Sequence, residues 1–277
     1  MVQAATNLQI PRIIYGTAWK KEHTEELVRN AILLGFRGID TACQPKHYNE
    51  PGVGAGIAAC RKQGVERADL YLQSKFTALD GQDPKRVPYD PRARLADQVG
   101  QSFAASLRNL QTDYLDCLIL HSPLDSNAET GEAWQAMEKI VDEGGARQLG
   151  ISNCDDLDDL EALHRSARVK PAVVQNRFHA ATGYDVDIRG FCRHHGIVYE
   201  SFWTLTANPP VLADRQIVAL AAKYERTPAQ VLFRYLTQEG VVPLTGTRSE
   251  NHMREDLEIF EFELTEGERE SIGDLVR

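Results

Sequence analysis

At 277 residues, 42% of them hydrophobic, and with a formal net charge of -9, the chain can bury a large core but presents no basic surface suited to a phosphate backbone. Its densest basic segment, Lys85-Arg86 with Arg92 and Arg94, is broken by Pro88, Tyr89 and neighbouring aspartates, and reads as a solvated loop. No apolar run reaches the roughly 18 residues needed to span a membrane, and the start MVQAATNLQIPRIIYG lacks the basic and then apolar order of a leader, so a cytoplasmic protein with neither nucleic-acid nor membrane partners is expected.

Runs rich in Val, Ile, Leu and Tyr alternate with stretches of helical period, as parallel βα units do. In chain order the strands are IIYGTA (13–18), GIDTA (38–42), LYLQSKF (70–76), YLDCLILH (114–121), ARQLGISN (146–153), AVVQNRF (172–178), IVYESF (197–202) and VVPLTG (241–246). Helices are expected over 25–35, 95–110, 132–144, 157–167 and 266–276, with apolar residues recurring at three- and four-residue steps. Gly35, Gly144 and Gly196 stand where left-handed helix ends are wanted, Asp155 and Asp214 where N-caps belong, and Thr227-Pro228 reads as a cap followed by a first-turn proline. Eight such units predict a (β/α)8 barrel, an α/β fold of about 250 residues, with 1–277 as a single domain.

Three features test that frame. Gly52, Gly54 and Gly56 imitate part of a dinucleotide fingerprint, but they follow Tyr48-Asn49-Glu50-Pro51 rather than a strand, and so read as a helix whose small residues allow close packing. The five cysteines (43, 60, 117, 154 and 192) form no CxxC pair and suit reduced thiols, while Cys192-Arg193-His194-His195 falls in a helical stretch with no second ligand group to make a metal site. The longest aperiodic stretch, 77–91, follows the third strand and is assigned to substrate access.

Polar residues at strand ends carry the chemistry, because that rim is where a (β/α)8 barrel keeps its active site. Asp40 and Lys75 lie on the second and third strands, His121 ends the fourth, and Tyr48 lies in the loop after the second. An unperturbed tyrosine has a pKa of about 10 and donates poorly at neutral pH; a neighbouring Lys75, held charged by Asp40, is expected to depress it. His121 can donate to a substrate oxygen. None of the four is arranged as a nucleophile, so hydride transfer fits better than acyl transfer.

The chain resembles the aldo-keto reductase superfamily over nearly its whole length. Gly38-Ile39-Asp40-Thr41-Ala42 with Tyr48-Asn49-Glu50, Ser74-Lys75 and Leu120-His121-Ser122-Pro123 match its motifs. The resemblance implies the tetrad Asp40, Tyr48, Lys75 and His121, and an extended NADPH or NADP+ lying across the rim without a Rossmann turn. It implies nicotinamide contacts from Ser152, Asn153 and Gln175, with Phe202 stacking on the ring where the family usually has tyrosine. Thr17, Ala18 and Asp40 fall among the implied cofactor contacts, as do Trp203, Thr204 and Leu205, although Trp203 and Thr204 depart from the usual Ser-Pro. After the last strand, Gly246-Thr247-Arg248 resembles a variant phosphate segment; Arg248 is the candidate for the 2′-phosphate, since guanidinium binds phosphate bidentately. His252 and Glu255 are candidates on the helix that follows, and Arg254 and Glu255 either reach the adenosine end or form a solvated helix face.

Trp19, Phe76, Tyr48 and His121 are the candidate substrate contacts, Phe76 competing with a role in the core. The chain stops soon after 266–276, short of the C-terminal loop that encloses substrate in many members, which implies an open site for a bulky aldehyde or ketone. The reading is thus NADPH-dependent carbonyl reduction by a monomer or weak homodimer. The alternatives are a cofactor-binding regulatory subunit, disfavoured by the lack of an added interaction segment, and a redox-neutral biosynthetic enzyme.

Overall fold

The computed structural model describes residues 9–277; residues 1–8, which carry half of the stretch read for a leader, lie outside it. The order is β1 (Ile14–Gly16), α1 (Thr24–Leu34), β2 (Gly38–Asp40), α2 (Glu50–Arg61), β3 (Tyr71–Phe76), α3 (Leu95–Leu110), β4 (Leu115–Leu120), α4 (Asn127–Asp142), β5 (Ala146–Ser152) and α5 (Leu157–Ser166). It continues β6 (Val173–Arg177), α6 (Val186–His195), β7 (Val198–Phe202), α7 (Pro209–Leu212), α8 (Arg215–Tyr224), α9 (Pro228–Gln238), β8 (Val242–Thr245), α10 (Glu250–Glu258) and α11 (Glu266–Gly273). All neighbouring strands are parallel and β8 pairs with β1, so the sheet closes into the expected eight-stranded barrel. The observed strands are shorter than their apolar runs, β1 by one residue at its start and two at its end, and β2 by two at its end.

Strand parity sorts the core into two layers. Ile14, Tyr71, Cys117, Ile119, Val173 and Val242 cluster inside the barrel. The alternate residues, among them Leu72, Leu118, Leu120, Ile151, Val174 and Tyr199, join the larger layer between barrel and helices. Each such side chain, fully buried, contributes roughly 1.5–3 kcal/mol.

The glycine-rich segment is helix α2, as its context required. A Cβ on Gly54 would lie 2.2 Å from the Asn109 carbonyl oxygen of α3, and one on Gly56 2.8 Å from that of Glu25 on α1. The missing methyls therefore let α2 seat between its neighbours; they cradle no phosphate. Asn49 caps the helix by accepting from Gly52 N.

The helix ends follow the expected punctuation at all but one position. Asp214 and Thr227 cap α8 and α9, and Gly196 ends α6 at φ 67°. Asp156, not Asp155, caps α5, accepting from Asp158 N. Helix α4 begins at Asn127, five residues before the apolar stripe at 132, because Ser126 supplies a cap to Glu129 N. The last helix ends at Gly273. All five cysteines are free and buried, and no helix among the described residues is long and apolar enough to cross a membrane.

Candidate active site

Asp40 ends β2, and its register partner on β3 is Gln73; two residues on, with the same inward parity, comes Lys75. The Lys75 ammonium is 1% exposed and lies 2.5 Å from Asp40 Oδ1, with a further bond of 2.9 Å to the Thr41 carbonyl. Its Nζ sits 5.4 Å from the centre of the Tyr48 ring, and the His121 ring lies 6.0 Å from that ring in an edge-on arrangement. The four residues picked out from strand ends are thus brought together at the C-terminal rim.

Their electrostatics differ from expectation in one respect. Burial pushes the Tyr48 phenol up, Lys75 pulls it down and Asp40 opposes Lys75, so the net direction is upward rather than depressed. Burial outweighs the ammonium. Tyr48 is accordingly a phenol at neutral pH, the form that can give a proton. Burial pulls Lys75 down, but Asp40, Tyr48 and Glu200 together hold it above its ordinary value, so it stays charged. Burial, Lys75 and His47 push His121 down to about 3, which keeps its imidazole neutral.

Thr77, just past β3, was not singled out from the sequence. Its hydroxyl lies 2.6 Å from His121 Nδ1, while Asn153 Nδ2 donates to the His121 carbonyl at 2.7 Å and to Ser152 Oγ at 3.2 Å. Asn153 holds a left-handed backbone at φ 50° to do so. A threonine after a strand-end lysine gives no signal of its own until topology places β4 beside β3.

Gln175 is present but partly committed. Its Nε2 donates to Asp40 Oδ1 at 3.0 Å and to Glu200 Oε2 at 2.8 Å, so only its amide oxygen is free for a ligand. Phe76 does not face the site. Parity turns it into the outer layer, 1% exposed, against Tyr89 at 5.8 Å, which removes it from the substrate contacts. The 77–91 segment is likewise part packing: Tyr89 donates to the Thr77 carbonyl, and Gln82 to the carbonyls of Cys43 and Thr77. Only Arg86 of that loop reaches the rim cavity of about 560 Å³, which Trp19, Lys46, His47 and Tyr48 also line.

The corner between β1 and β8 gathers the other cofactor candidates. Thr17 is buried, its hydroxyl donating to the Asp40 carbonyl at 2.8 Å, and Ala18 is half-buried. Trp19 is 51% exposed, and its ring lies 3.9 Å from that of His47. Arg248 Nη2 donates to the Trp19 carbonyl at 2.6 Å. Lys20, which sequence reasoning passed over, is buried beside it and donates to the Gly246 carbonyl. Burial and Arg248 push its ammonium down to about 8. Among the described residues neither cation has a carboxylate within ion-pair distance, an arrangement that suits an anion. Thr247 Oγ1 and His252 Nδ1 are 3.4 Å apart at the same corner. Glu255 accepts from Asn251 and Arg254 pairs with Glu250 at 3.4 Å, the solvated helix face.

On the β7 side Phe202 is half-buried with inward parity, and Leu205 packs partly into the core. Thr204 is buried with its hydroxyl bonded to Ser201 Oγ at 2.9 Å, so it offers nothing to the rim. Trp203 is 50% exposed at φ 58°, with the Arg177 guanidinium 4.2 Å from its ring centre.

The model of the Aldo/keto reductase family matches residues 12–209 and 207–277. The chain belongs to that family. It is 34% identical over 250 residues to the glyoxal reductase of Bacillus subtilis (strain 168), covering 90% of this chain and 82% of that one. It is 30% identical over 294 residues to the NAD/NADP-dependent indole-3-acetaldehyde reductase of Schizosaccharomyces pombe, covering 99% and 95%. Among solved structures, an aldo/keto reductase from Brucella melitensis aligns with a TM-score of 0.80 at 28% identity, covering 96% of this chain and 95% of that one. A Bombyx mori aldo-keto reductase in complex with NADP aligns with a TM-score of 0.81 at 26% identity, covering 96% and 89%.

Proposed function

We propose that this aldo-keto reductase reduces an aldehyde or ketone to the alcohol with NADPH, Tyr48 supplying the proton. The observation that carries the reading is the rim arrangement of a protonated Tyr48 beside the buried Lys75–Asp40 pair and a neutral His121. When bound, the nicotinamide supplies the hydride that the carbonyl carbon accepts. The chain's own residues manage the oxygen. With the Thr77 hydroxyl donating to Nδ1, His121 carries its proton on Nε2 and donates to the carbonyl oxygen, orienting it. Tyr48 then gives its proton to that oxygen as negative charge develops, and Lys75, held by Asp40, stabilises the phenolate left behind.

Residues that fit the cofactor are Ser152, Asn153 and the free oxygen of Gln175 for the carboxamide, Phe202 for the ring face, and Arg248 with Lys20 for phosphate. The uncompensated cations at the β1–β8 corner support a phosphorylated cofactor, and the NADP bound by the Bombyx mori relative agrees with that choice. Trp19 and His47 wall the substrate side. The names of the two reductase relatives favour aldehydes.

The test is loss of NADPH absorbance with a panel of aromatic and dicarbonyl aldehydes, comparing the wild type with Tyr48→Phe. Turnover abolished by the substitution, with NADPH binding retained, is expected. Equal turnover in both proteins would sink the assignment of Tyr48.

A further inference from the structure

Beneath the rim the barrel holds a second carboxylate with no counter-ion among the described residues. Glu200 on β7 is fully buried. Its Oε2 accepts from Gln73 Nε2 and Gln175 Nε2, each at 2.8 Å, and the same two nitrogens reach Asp40 Oδ1 at 2.9 and 3.0 Å. Two amides therefore bridge two carboxylates, while the only cation among the described residues that is bonded to the cluster, Lys75, lies against Asp40.

Glu200 Oε1 and Gln73 Oε1 are both buried with no hydrogen-bond partner. Two ionised carboxylates and one ammonium would leave the barrel interior with a net negative charge, an arrangement that low dielectric disfavours strongly. One proton on Glu200 resolves both problems. It neutralises the excess charge, and it spares the interior an ionised oxygen, Glu200 Oε1, that receives no hydrogen bond from the described residues.

We propose that Glu200 is a positioning residue of the active site that holds a proton in the barrel interior at neutral pH, leaving Asp40 as the sole charged partner of Lys75. An ionised Glu200 would compete for the ammonium and weaken its hold on the phenolate that forms at Tyr48.

The neighbours agree. Asp40 faces Glu200 from β2, Tyr71 and Lys75 from β3, and Cys117 from β4; Asp116, also on β4, is answered by Arg67 at 2.8 Å and Arg147 at 2.9 Å. Of the inward groups of β1, β5, β6 and β8, Ile14, Val173 and Val242 are apolar and Gln148 and Gln175 are neutral, while Arg177, at the rim end of β6, lies against the Trp203 ring at 4.2 Å. Burial pushes Glu200 up to about 7, against the bonds from Gln175 and Gln73, with Asp40 raising and Lys75 lowering it. Burial likewise holds the Tyr71 phenol and Cys117 thiol well above their ordinary values, so both stay neutral.

The experiment is infrared spectroscopy of the folded protein carrying isotope-labelled glutamate, at about pH 6 and about pH 8.5, beside the pH profile of kcat for the wild type and Glu200→Gln. A label-shifted protonated-carboxyl band that fades on raising the pH is expected. Its absence at the lower pH would overturn the proposal, and this measurement needs only the wild type, so it stands even if the variant fails to fold. The wild-type kcat should bend near neutrality and lose several-fold on the alkaline side, whereas Glu200→Gln, which keeps the protonated shape, should lack that bend with KM little moved. Superimposable profiles would remove the positioning role. That second arm rests on Tyr48 as proton donor; the infrared band does not, so the two readings fail separately.

Discussion

The Thr77 hydroxyl lies 2.6 Å from His121 Nδ1, which ties the ring that faces Tyr48 to the first residue beyond β3. A hydroxyl that donates to Nδ1 leaves the ring proton on Nε2, the tautomer that the proposed role of His121 requires. Thr77→Val keeps the shape and removes the donor. A fall of about fivefold in kcat/KM is expected, the worth of one hydrogen bond near 1 kcal/mol, with cofactor affinity unmoved. Unchanged kinetics would show that the ring is oriented by Asn153 and packing alone.

His121 also makes stability fall in acid. Its folded pKa, about 3, lies below the ordinary 6.5, so below about pH 6.5 the unfolded chain takes up a proton that the folded ring refuses. The loss therefore begins near pH 6.5 and continues down to about pH 3, and amounts to a few kcal/mol in order of magnitude. Thermal midpoints should drop less between pH 7 and pH 5 in His121→Gln than in the wild type. Parallel drops would refute the buried neutral ring.

Arg248 is expected to separate the two nicotinamide cofactors. Its guanidinium is exposed and, among the described residues, bonded only to the Trp19 carbonyl, so it is free to turn to a 2′-phosphate. Arg248→Ala should raise the NADPH dissociation constant roughly 10- to 100-fold, as loss of a charged hydrogen bond does, and leave NADH nearly unchanged. Fluorescence titration decides it; equal losses would mean that the residue only braces the Trp19 loop.

Two glycines on neighbouring helices should behave oppositely. Gly54→Ala drives a methyl into the Asn109 carbonyl at 2.2 Å and should cost about 1–3 kcal/mol or more. Gly100→Ala on α3 meets nothing within 4 Å and should stabilise by roughly 0.5–1 kcal/mol. Denaturant midpoints measure both.

The barrel and the meeting of Asp40, Lys75, Tyr48 and His121 were legible because each depends on local pattern: a β run, then a polar residue at its end. What was not legible depends on parity or on strands far apart in the chain. Lys75 and Phe76 are consecutive, yet one faces the site and the other the outer layer, and the run LYLQSKF does not say which. Gln73 and Glu200 are separated by 127 residues and read singly as ordinary polar residues; only barrel closure makes them bonded partners. The direction of the Tyr48 shift was missed for a related reason, since sequence places the ammonium beside the phenol but does not weigh the surrounding desolvation.

The burial of every cysteine has a practical side. Cys43, Cys154 and Cys192 are shielded, and desolvation pushes their thiols up to about 12, where almost no thiolate forms. In its native state the chain is therefore close to a cysteine-free scaffold: one cysteine introduced on an exposed helix would take a label alone, and modification of the native five becomes a clock for opening of the barrel.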